Sequence, residues 1–216
     1  MKKFLVLVLL GMISHYSQAQ IGWGIRAGLG YTTSYSSNAY GDVNTKGKAS
    51  FEIGPTAYIS FNEKAYLNTG LNLSYKRFGD ENDTYESDGS INYLSLELPV
   101  NVGMRFNLGR TALYAQAGPF VGVKLHEKVN FNESIGGVNG ISTDYLNRFN
   151  YGIGAAVGIN VVKFKIELGY QMGLANILSD KFWKDYYGYD FDDYYDTDDK
   201  TKVHLNTLFL GVSYVF

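Results

Sequence analysis

The stretch LNTLFLGVSYVF, residues 205–216, shows the pattern on which the interpretation of the whole chain depends. One set of alternate positions is apolar or aromatic: Leu208, Leu210, Val212, Tyr214 and Phe216. The opposite set includes Thr207, Gly211 and Ser213. Successive side chains of a β-strand point to opposite faces, so this period of two predicts a strand with one apolar face. In a membrane-spanning strand the apolar face contacts lipid.

The same alternation recurs along the chain. Between 91 and 107, seven apolar side chains share one face: Leu94, Leu96, Leu98, Val100, Val102, Met104 and Phe106. We predict eight strands, at 21–32, 49–61, 65–78, 91–107, 111–125, 148–161, 163–175 and 203–216. Each is long enough to cross the hydrocarbon at a tilt, which takes about 9 to 11 residues. An open sheet edge would leave backbone groups unpaired in lipid, so the predicted fold is an all-β, eight-stranded antiparallel transmembrane β-barrel.

The predicted connections alternate between short and long. Tight turns are expected at 62–64, 107–110 and 161–162, and long polar loops at 33–48, 79–90, 126–147 and 176–202. Short periplasmic turns and long external loops are typical of outer-membrane barrels. Aromatic residues near strand ends are expected to form the two interfacial girdles: Trp23, Tyr31, Phe51, Phe61, Tyr66, Tyr75, Phe106, Phe164 and Phe216.

The first residues have the pattern of a secretory signal peptide. Lys2 and Lys3 precede a short apolar run, and a small-x-small site at Ser17–Ala19 predicts cleavage before Gln20. We therefore expect residues 1–19 to be a signal peptide and residues 20–216 to form the barrel domain. Without the two signal lysines, 17 basic and 21 acidic residues give a net charge of −4, which argues against a nucleic-acid partner. The chain has no cysteine, which excludes a lipoprotein anchor and thiol chemistry.

Charged residues fall on the predicted inner face of the barrel. Parity places a polar network there: Arg26, Glu52, Lys76, Glu97, Arg105, Lys165 and Glu167. An eight-stranded barrel is only wide enough for its own side chains, and buried charges persist when they are paired. The favoured interpretation is a polar core that plugs the lumen. The alternative is a narrow, porin-like channel for ions or small solutes.

The longest predicted loop is rich in aspartate and tyrosine. Residues 180–199 contain eight aspartates, interleaved with aromatic residues. Tyrosine supplies amphipathic contact area at low entropic cost, so this loop predicts a contact surface for a protein or glycan. Its candidate residues are Trp183, Tyr186, Tyr187, Tyr189, Asp190, Asp192, Asp193, Tyr194 and Tyr195. Clustered carboxylates can bind Ca²⁺, but the EF-hand spacing is absent, so neither a metal site nor a cofactor is predicted.

The sequence does not predict an enzyme. Residues 20–216 contain only two histidines, His126 and His204, and both are expected near the external rim. Nucleophilic catalysis needs a base beside its nucleophile, and no spacing ties a serine to either histidine. No phosphate-binding loop, HExxH or CxxC pattern is present.

Three motifs carry a resemblance to a known family. YLSLELPV at 93–100, AGPFVG at 117–122 and FNYGIG at 149–154 resemble the corresponding strands of the PorT-like outer-membrane β-barrel family. The resemblance implies a multi-pass protein of the outer membrane of a Gram-negative-type bacterium, in contact with outer-membrane lipid. It also implies that Phe216 is part of the assembly signal read by the barrel-assembly machinery. Some members of the family are tied to protein secretion, and the resemblance implies no catalytic activity.

Overall fold

The computed structural model of the protein describes residues 20–38, 41–44, 47–80, 89–131, 147–177, 179 and 202–216. These residues form ten strands: β1 (Gln20–Asn38), β2 (Gly41–Asn44), β3 (Lys48–Ser60), β4 (Ala65–Gly70), β5 (Asn72–Asp80), β6 (Gly89–Leu108), β7 (Thr111–Phe131), β8 (Phe149–Val161), β9 (Phe164–Gly173) and β10 (Lys202–Val215). Across the same residues, no helix has the length and apolarity needed to cross a membrane.

The strands close into a ring. β1 pairs with β3 on one side and with β10 on the other, from Gly24↔Val215 to Ser37↔Lys202, and every pairing in the ring is antiparallel. β4 and β5 follow one another along a single position between β3 and β6, so the ring has eight positions. β2 pairs only with the end of β1, as a short hairpin outside the ring. The predicted eight-stranded antiparallel barrel is confirmed.

Several predicted boundaries differ from the structure. β7 continues to Phe131, into the predicted loop 126–147. Part of the predicted loop 33–48 is strand, since β1 continues to Asn38 and β2 follows it. The predicted strand 65–78 is interrupted at Leu71, which lies between β4 and β5. Leu71 donates its N–H to the carbonyl of Pro55 at 3.0 Å. Proline has no N–H to return the bond, so the ladder is locally incomplete at this position.

The burial pattern is the reverse of that in a soluble protein. Apolar side chains on the outer face are exposed, as at Leu29 (70 %) and Val102 (60 %), whereas Arg26, Glu97 and other charged side chains are buried. This is the arrangement of a barrel with a polar interior and a lipid-facing surface. One residue predicted for the aromatic girdle, Tyr66, is buried in the lumen instead. That assignment was wrong because Tyr66 alternates in phase with the inward-facing Asn68, and closeness to a strand end does not decide the face.

Two tight connections are fixed in different ways, one by side-chain hydrogen bonds and one by backbone geometry. In the turn between β3 and β4, the Asn62 side chain accepts hydrogen bonds from the N–H groups of Lys64 (2.8 Å) and Ala65 (2.6 Å). In the turn between β6 and β7, Gly109 has φ = 68°, a left-handed conformation that glycine adopts without steric cost. All three short connections lie at one end of the barrel, here called the turn rim. The opposite end, where the long connections leave, is called the outer rim.

The first prediction concerns orientation. If the outer rim faces outside, a cysteine replacing Asp83 or Asp192 reacts with a membrane-impermeant thiol reagent on intact cells, whereas a cysteine replacing Glu63 in the turn between β3 and β4 does not. Permeabilised cells, in which Glu63→Cys also reacts, provide the control for accessibility. Reaction at Glu63→Cys alone on intact cells would show the inverse orientation.

Candidate functional site

The lumen contains the charged side chains that the sequence singles out, arranged in layers from the turn rim to the outer rim. In the first layer, the Lys165 ammonium on β9 lies over the rings of Tyr58 (3.6 Å), Tyr114 (4.4 Å) and Tyr66 (4.7 Å). Cations are attracted to the faces of aromatic rings at such distances. Among the described residues, no carboxylate lies within 4.0 Å of Lys165, so the three tyrosines replace the usual ion-pair partner.

The second layer joins one arginine to two carboxylates. Arg26 on β1 contacts Glu52 on β3 and Glu167 on β9, each at 2.8 Å, and all three side chains are buried. Glu167 also accepts hydrogen bonds from the Tyr114 hydroxyl (2.9 Å) and the Gln116 amide (3.0 Å). This cluster crosses the interior and links four strands. A buried arginine between two carboxylates has the pairing that desolvated charges require.

The third layer is built around Lys76. Its ammonium donates to Glu97 at 2.7 Å and to Gln171 at 3.4 Å, and Ser95 donates to the same Glu97 oxygen at 3.1 Å. Glu97 is only 1 % exposed. This arrangement ties β5 and β6 to β9 across the lumen. Arg105, the remaining predicted residue, lies near the turn rim, donates to the Ser60 hydroxyl and stacks its guanidinium over Tyr66 at 5.6 Å.

An apolar cluster closes the lumen toward the outer rim. Phe78, Tyr93, Ile177 and Leu205 are buried against one another, with Ile91 and Val203 packed beside them. The rings of Phe78 and Tyr93 meet edge to face at 6.2 Å. Ile177 is fixed there because its N–H donates to the Val203 carbonyl and its carbonyl accepts from Asn147. The charged layers are therefore covered by apolar side chains on the outer side.

Among the described residues, two small cavities lie between the layers. One cavity, beside Arg26, Gln116 and Phe209, has a volume of about 20 Å³, and another, beside Glu52 and Lys76, has about 10 Å³. A single water needs about 10 to 15 Å³ of such space. Each cavity therefore has room for about one water molecule, which is far less than a hydrated ion path requires.

Sequence parity placed Lys124 in the lumen but missed its partner there, Glu127. These two residues are three apart, which in a regular strand places them on opposite faces, yet they form an ion pair. The register of β6 and β7 shifts between Leu94 and Ser95, so that Leu94 faces His126 and Ser95 faces Lys124. This bulge turns Glu127 inward. The consecutive exposed positions Leu125 and His126 mark it, but the sequence carries no glycine or proline there to indicate it.

The predicted contact surface in the longest loop is not among the described residues. Its nine residues, Trp183 to Tyr195, lie outside the described part of the chain. Of the two histidines, His126 is exposed, and the His204 ring is hydrogen-bonded to the Ala175 carbonyl at 3.1 Å. Phe216 donates its N–H to the Trp23 carbonyl at 2.9 Å at the turn rim. Within the described ranges, no group of three or more histidine, aspartate or glutamate residues is arranged to hold a metal ion.

One family model matches the chain, and several solved structures are similar to it. Residues 16–179 match the family described as outer membrane protein beta-barrel domain. Similar solved structures include Ail of Yersinia pestis, in complex with the heparin analogue sucrose octasulfate (17 % identity, 90 % of this chain and 99 % of that chain, TM-score 0.42). They also include neisserial surface protein A (13 % identity, 90 % of this chain and 97 % of that chain, TM-score 0.45). A third is the outer membrane enzyme PagL (8 % identity, 86 % of this chain and 98 % of that chain, TM-score 0.41). No curated protein matches the sequence.

Proposed function

This chain belongs to the outer membrane protein beta-barrel domain family, and from that premise we propose that it is a closed membrane scaffold whose external loops bind a partner. It lies in the outer membrane of a Gram-negative-type cell envelope. The observation that carries the proposal is the filled lumen, in which paired charges, tyrosines and an apolar cluster leave cavities of about 20 and 10 Å³. When the lumen has no solute path, the external loops are the part of the barrel that can recognise a partner. Loops generally carry function and tolerate change more than the strands that they connect.

The distribution of charge supports a specific kind of partner. Between residues 20 and 216, the described part contains 13 basic and 7 acidic residues, whereas the remaining positions contain 4 basic and 14 acidic residues. The acidic surplus is thus concentrated in the long connections. Complementary potentials guide association, so a partner with a basic surface fits these loops better than an anionic glycan does. The tyrosines and Trp183 add the flat, amphipathic area that also suits a neutral sugar.

The motifs at 93–100, 117–122 and 149–154 extend the proposal to the PorT-like branch of outer-membrane barrels. In β6, Tyr93, Ser95 and Glu97 of the first motif all contribute to the lumen layers described above. On this interpretation the motif supplies side chains that fill the lumen, and the long loops supply the recognition surface. Assembly of the barrel then depends on the terminal Phe216, and the surrounding lipid covers the apolar outer face.

The second prediction separates this function from the channel. Full-length protein in a planar bilayer gives no stable single-channel current, and on the surface of intact cells it binds a basic model protein or neutral glycans from an array. Deletion of residues 180–199 abolishes that binding and leaves the barrel folded, because loop tips contribute little to the membrane-embedded pairing. Heat-modified migration on gels monitors the fold.

A matched variant tests the role of charge in the same loop. Asp190, Asp192 and Asp193 changed together to Asn keep the loop length and remove three charges, so binding of a basic protein weakens while binding of a neutral glycan persists. Steady currents from the unmodified protein would instead support the narrow channel. Binding that survives the deletion of 180–199 would contradict the proposed contact surface.

A further inference from the structure

A cationic patch lies on the lipid-facing side of the barrel at the outer rim. Arg77 on β5 is directly opposite Asn92 on β6, and Asn92 is directly opposite Lys128 on β7. Residues that face each other in an antiparallel pair share one face of the sheet, and Asn92 is in phase with the outward-facing Leu94 and Leu98. The three side chains therefore form one row across three neighbouring strands. His126, two residues before Lys128 and opposite Leu94, adds an imidazole to the same face.

The local contacts direct hydrogen-bond donors away from the barrel. Arg77 donates from Nε to the Asn92 side-chain oxygen at 3.0 Å. This bond fixes the guanidinium and leaves both of its terminal nitrogens available as donors. Asn92 itself is buried, at 8 % exposed. Arg77, His126 and Lys128 are exposed, and no carboxylate of the described residues lies within 4.0 Å of Arg77 or Lys128. Apart from the Asn92 oxygen, the row therefore presents donors without a carboxylate partner among the described residues.

The height of the patch in the membrane follows from β6. Counted from the turn rim, seven outward apolar residues, from Phe106 to Leu94, lie below Asn92 on this strand. Twelve residue steps at about 3.4 Å span about 40 Å along the strand, which at a tilt of about 40° is about 30 Å along the membrane normal. That is about the thickness of the hydrocarbon core. Arg77, Asn92 and Lys128 therefore lie where the apolar band ends and the headgroups of the outer leaflet begin.

We propose that the exposed Arg77, His126 and Lys128 bind the phosphate group of an outer-leaflet glycolipid, with Asn92 holding Arg77 in place. Cα atoms two strands apart are about 10 Å from each other, so the long side chains of Arg77 and Lys128 can converge on one group above Asn92. A guanidinium fork matches the geometry of a phosphate, and basic side chains at the membrane interface are attracted to anionic headgroups. The acyl chains of such a lipid extend along the half-buried Leu94 and the exposed Val123 and Leu125 below the patch. This site is separate from the loop surface proposed above and does not depend on it.

The experiment uses the full chain in nanodiscs of neutral phosphatidylcholine. Lipid A carrying both phosphates and lipid A with the phosphates removed are titrated separately, and native mass spectrometry counts the bound molecules. The unmodified protein retains the phosphorylated lipid preferentially. Arg77→Gln/Lys128→Gln lowers that affinity about thirtyfold, the value expected from removing two interfacial cations. Both side chains are exposed, so the variant folds, which heat-modified migration verifies.

The turn rim provides a matched control. Lys64 and Arg110 are also exposed basic residues, but they lie in the short turns at the opposite end of the barrel. Lys64→Gln/Arg110→Gln removes the same charge and leaves the affinity for phosphorylated lipid A unchanged. Equal binding of both lipids by the unmodified protein overturns the proposal. An equal loss in the turn-rim variant also overturns it, because the effect would then reflect net charge alone.

Discussion

Replacing Arg26 by methionine is expected to lower the free energy of unfolding by about 3 to 5 kcal/mol, the usual cost of removing one partner from a buried charge cluster. Arg26 contacts both Glu52 and Glu167 at 2.8 Å, and each carboxylate is less than 10 % exposed. Without the guanidinium, two desolvated carboxylates remain without their shared cation. Urea unfolding of the purified barrel in lipid vesicles measures the loss.

Two controls distinguish this effect from a lost packing contact. Arg26→Met combined with Glu52→Gln and Glu167→Gln removes the whole charge cluster and recovers most of the stability, since the cost arises from unpaired charge. Arg110→Met in an exposed turn changes stability little, because surface substitutions generally remain within about 0.5 kcal/mol. If Arg26→Met behaved like Arg110→Met, the lumen around Arg26 would have to be hydrated rather than closed.

Replacing Gly118 by alanine is expected to prevent assembly of the barrel or to lower its free energy of unfolding by about 3 kcal/mol or more. Overpacking a core typically costs about 1 to 3 kcal/mol, and here the clash is with backbone atoms. A Cβ at this position would lie 2.0 Å from the Val100 carbonyl oxygen and 2.8 Å from the Asn101 Cα, both backbone atoms of the neighbouring strand. The paired residues of β6 and β7 omit Val100 and Asn101, and the two backbones approach closely there at Gly118. The folded fraction on gels and the urea midpoint measure the effect.

The matched control for Gly118 is the residue directly opposite it. Gly154 on β8 pairs with Gly118, but a Cβ there would have its nearest contact at 3.5 Å, from the flexible Gln171 side chain. Gly154→Ala is therefore expected to be neutral or to stabilise the barrel by a few tenths of a kcal/mol to about 1 kcal/mol, through the unfolded state. If both variants assembled equally well, the close approach of β6 and β7 at Gly118 would not be a requirement of the fold.

The sequence was most informative where the period of two was long and unbroken. Alternation alone located the eight ring positions and predicted the inward side of Arg26, Glu97 and Glu167, because parity within a strand needs no knowledge of its neighbours. The pairing partners depend on register between strands that are far apart in sequence. Nothing in the sequence shows that Lys76 pairs with Glu97, whereas Lys165 lies over the rings of three tyrosines.

The remaining differences have local causes. The bulge beside Leu94 inverts the parity of Glu127, and Pro55 interrupts the neighbouring strand at Leu71 by lacking an N–H. Tyr66 was assigned to the girdle from its position near a strand end, although its phase with Asn68 predicts the lumen. The cationic row at the outer rim was not found because Arg77, Asn92 and Lys128 belong to three strands, and only the register aligns them.

The Arg26–Glu167 ion pair can form only at a late stage of folding, when the ring closes. β1 and β10 are the first and last strands of the ring, and their pairing joins residues separated by most of the chain, which makes it a slow step of high entropic cost. Arg26 lies on β1, while Glu167 lies on β9, immediately beyond β10. The ion pair therefore spans the seam and forms only after β10 is inserted in the correct register. A slip of one residue would turn the lumen-facing side chains of β10 to the lipid side and would displace Arg26 from Glu167, so the buried ion pair favours the correct register.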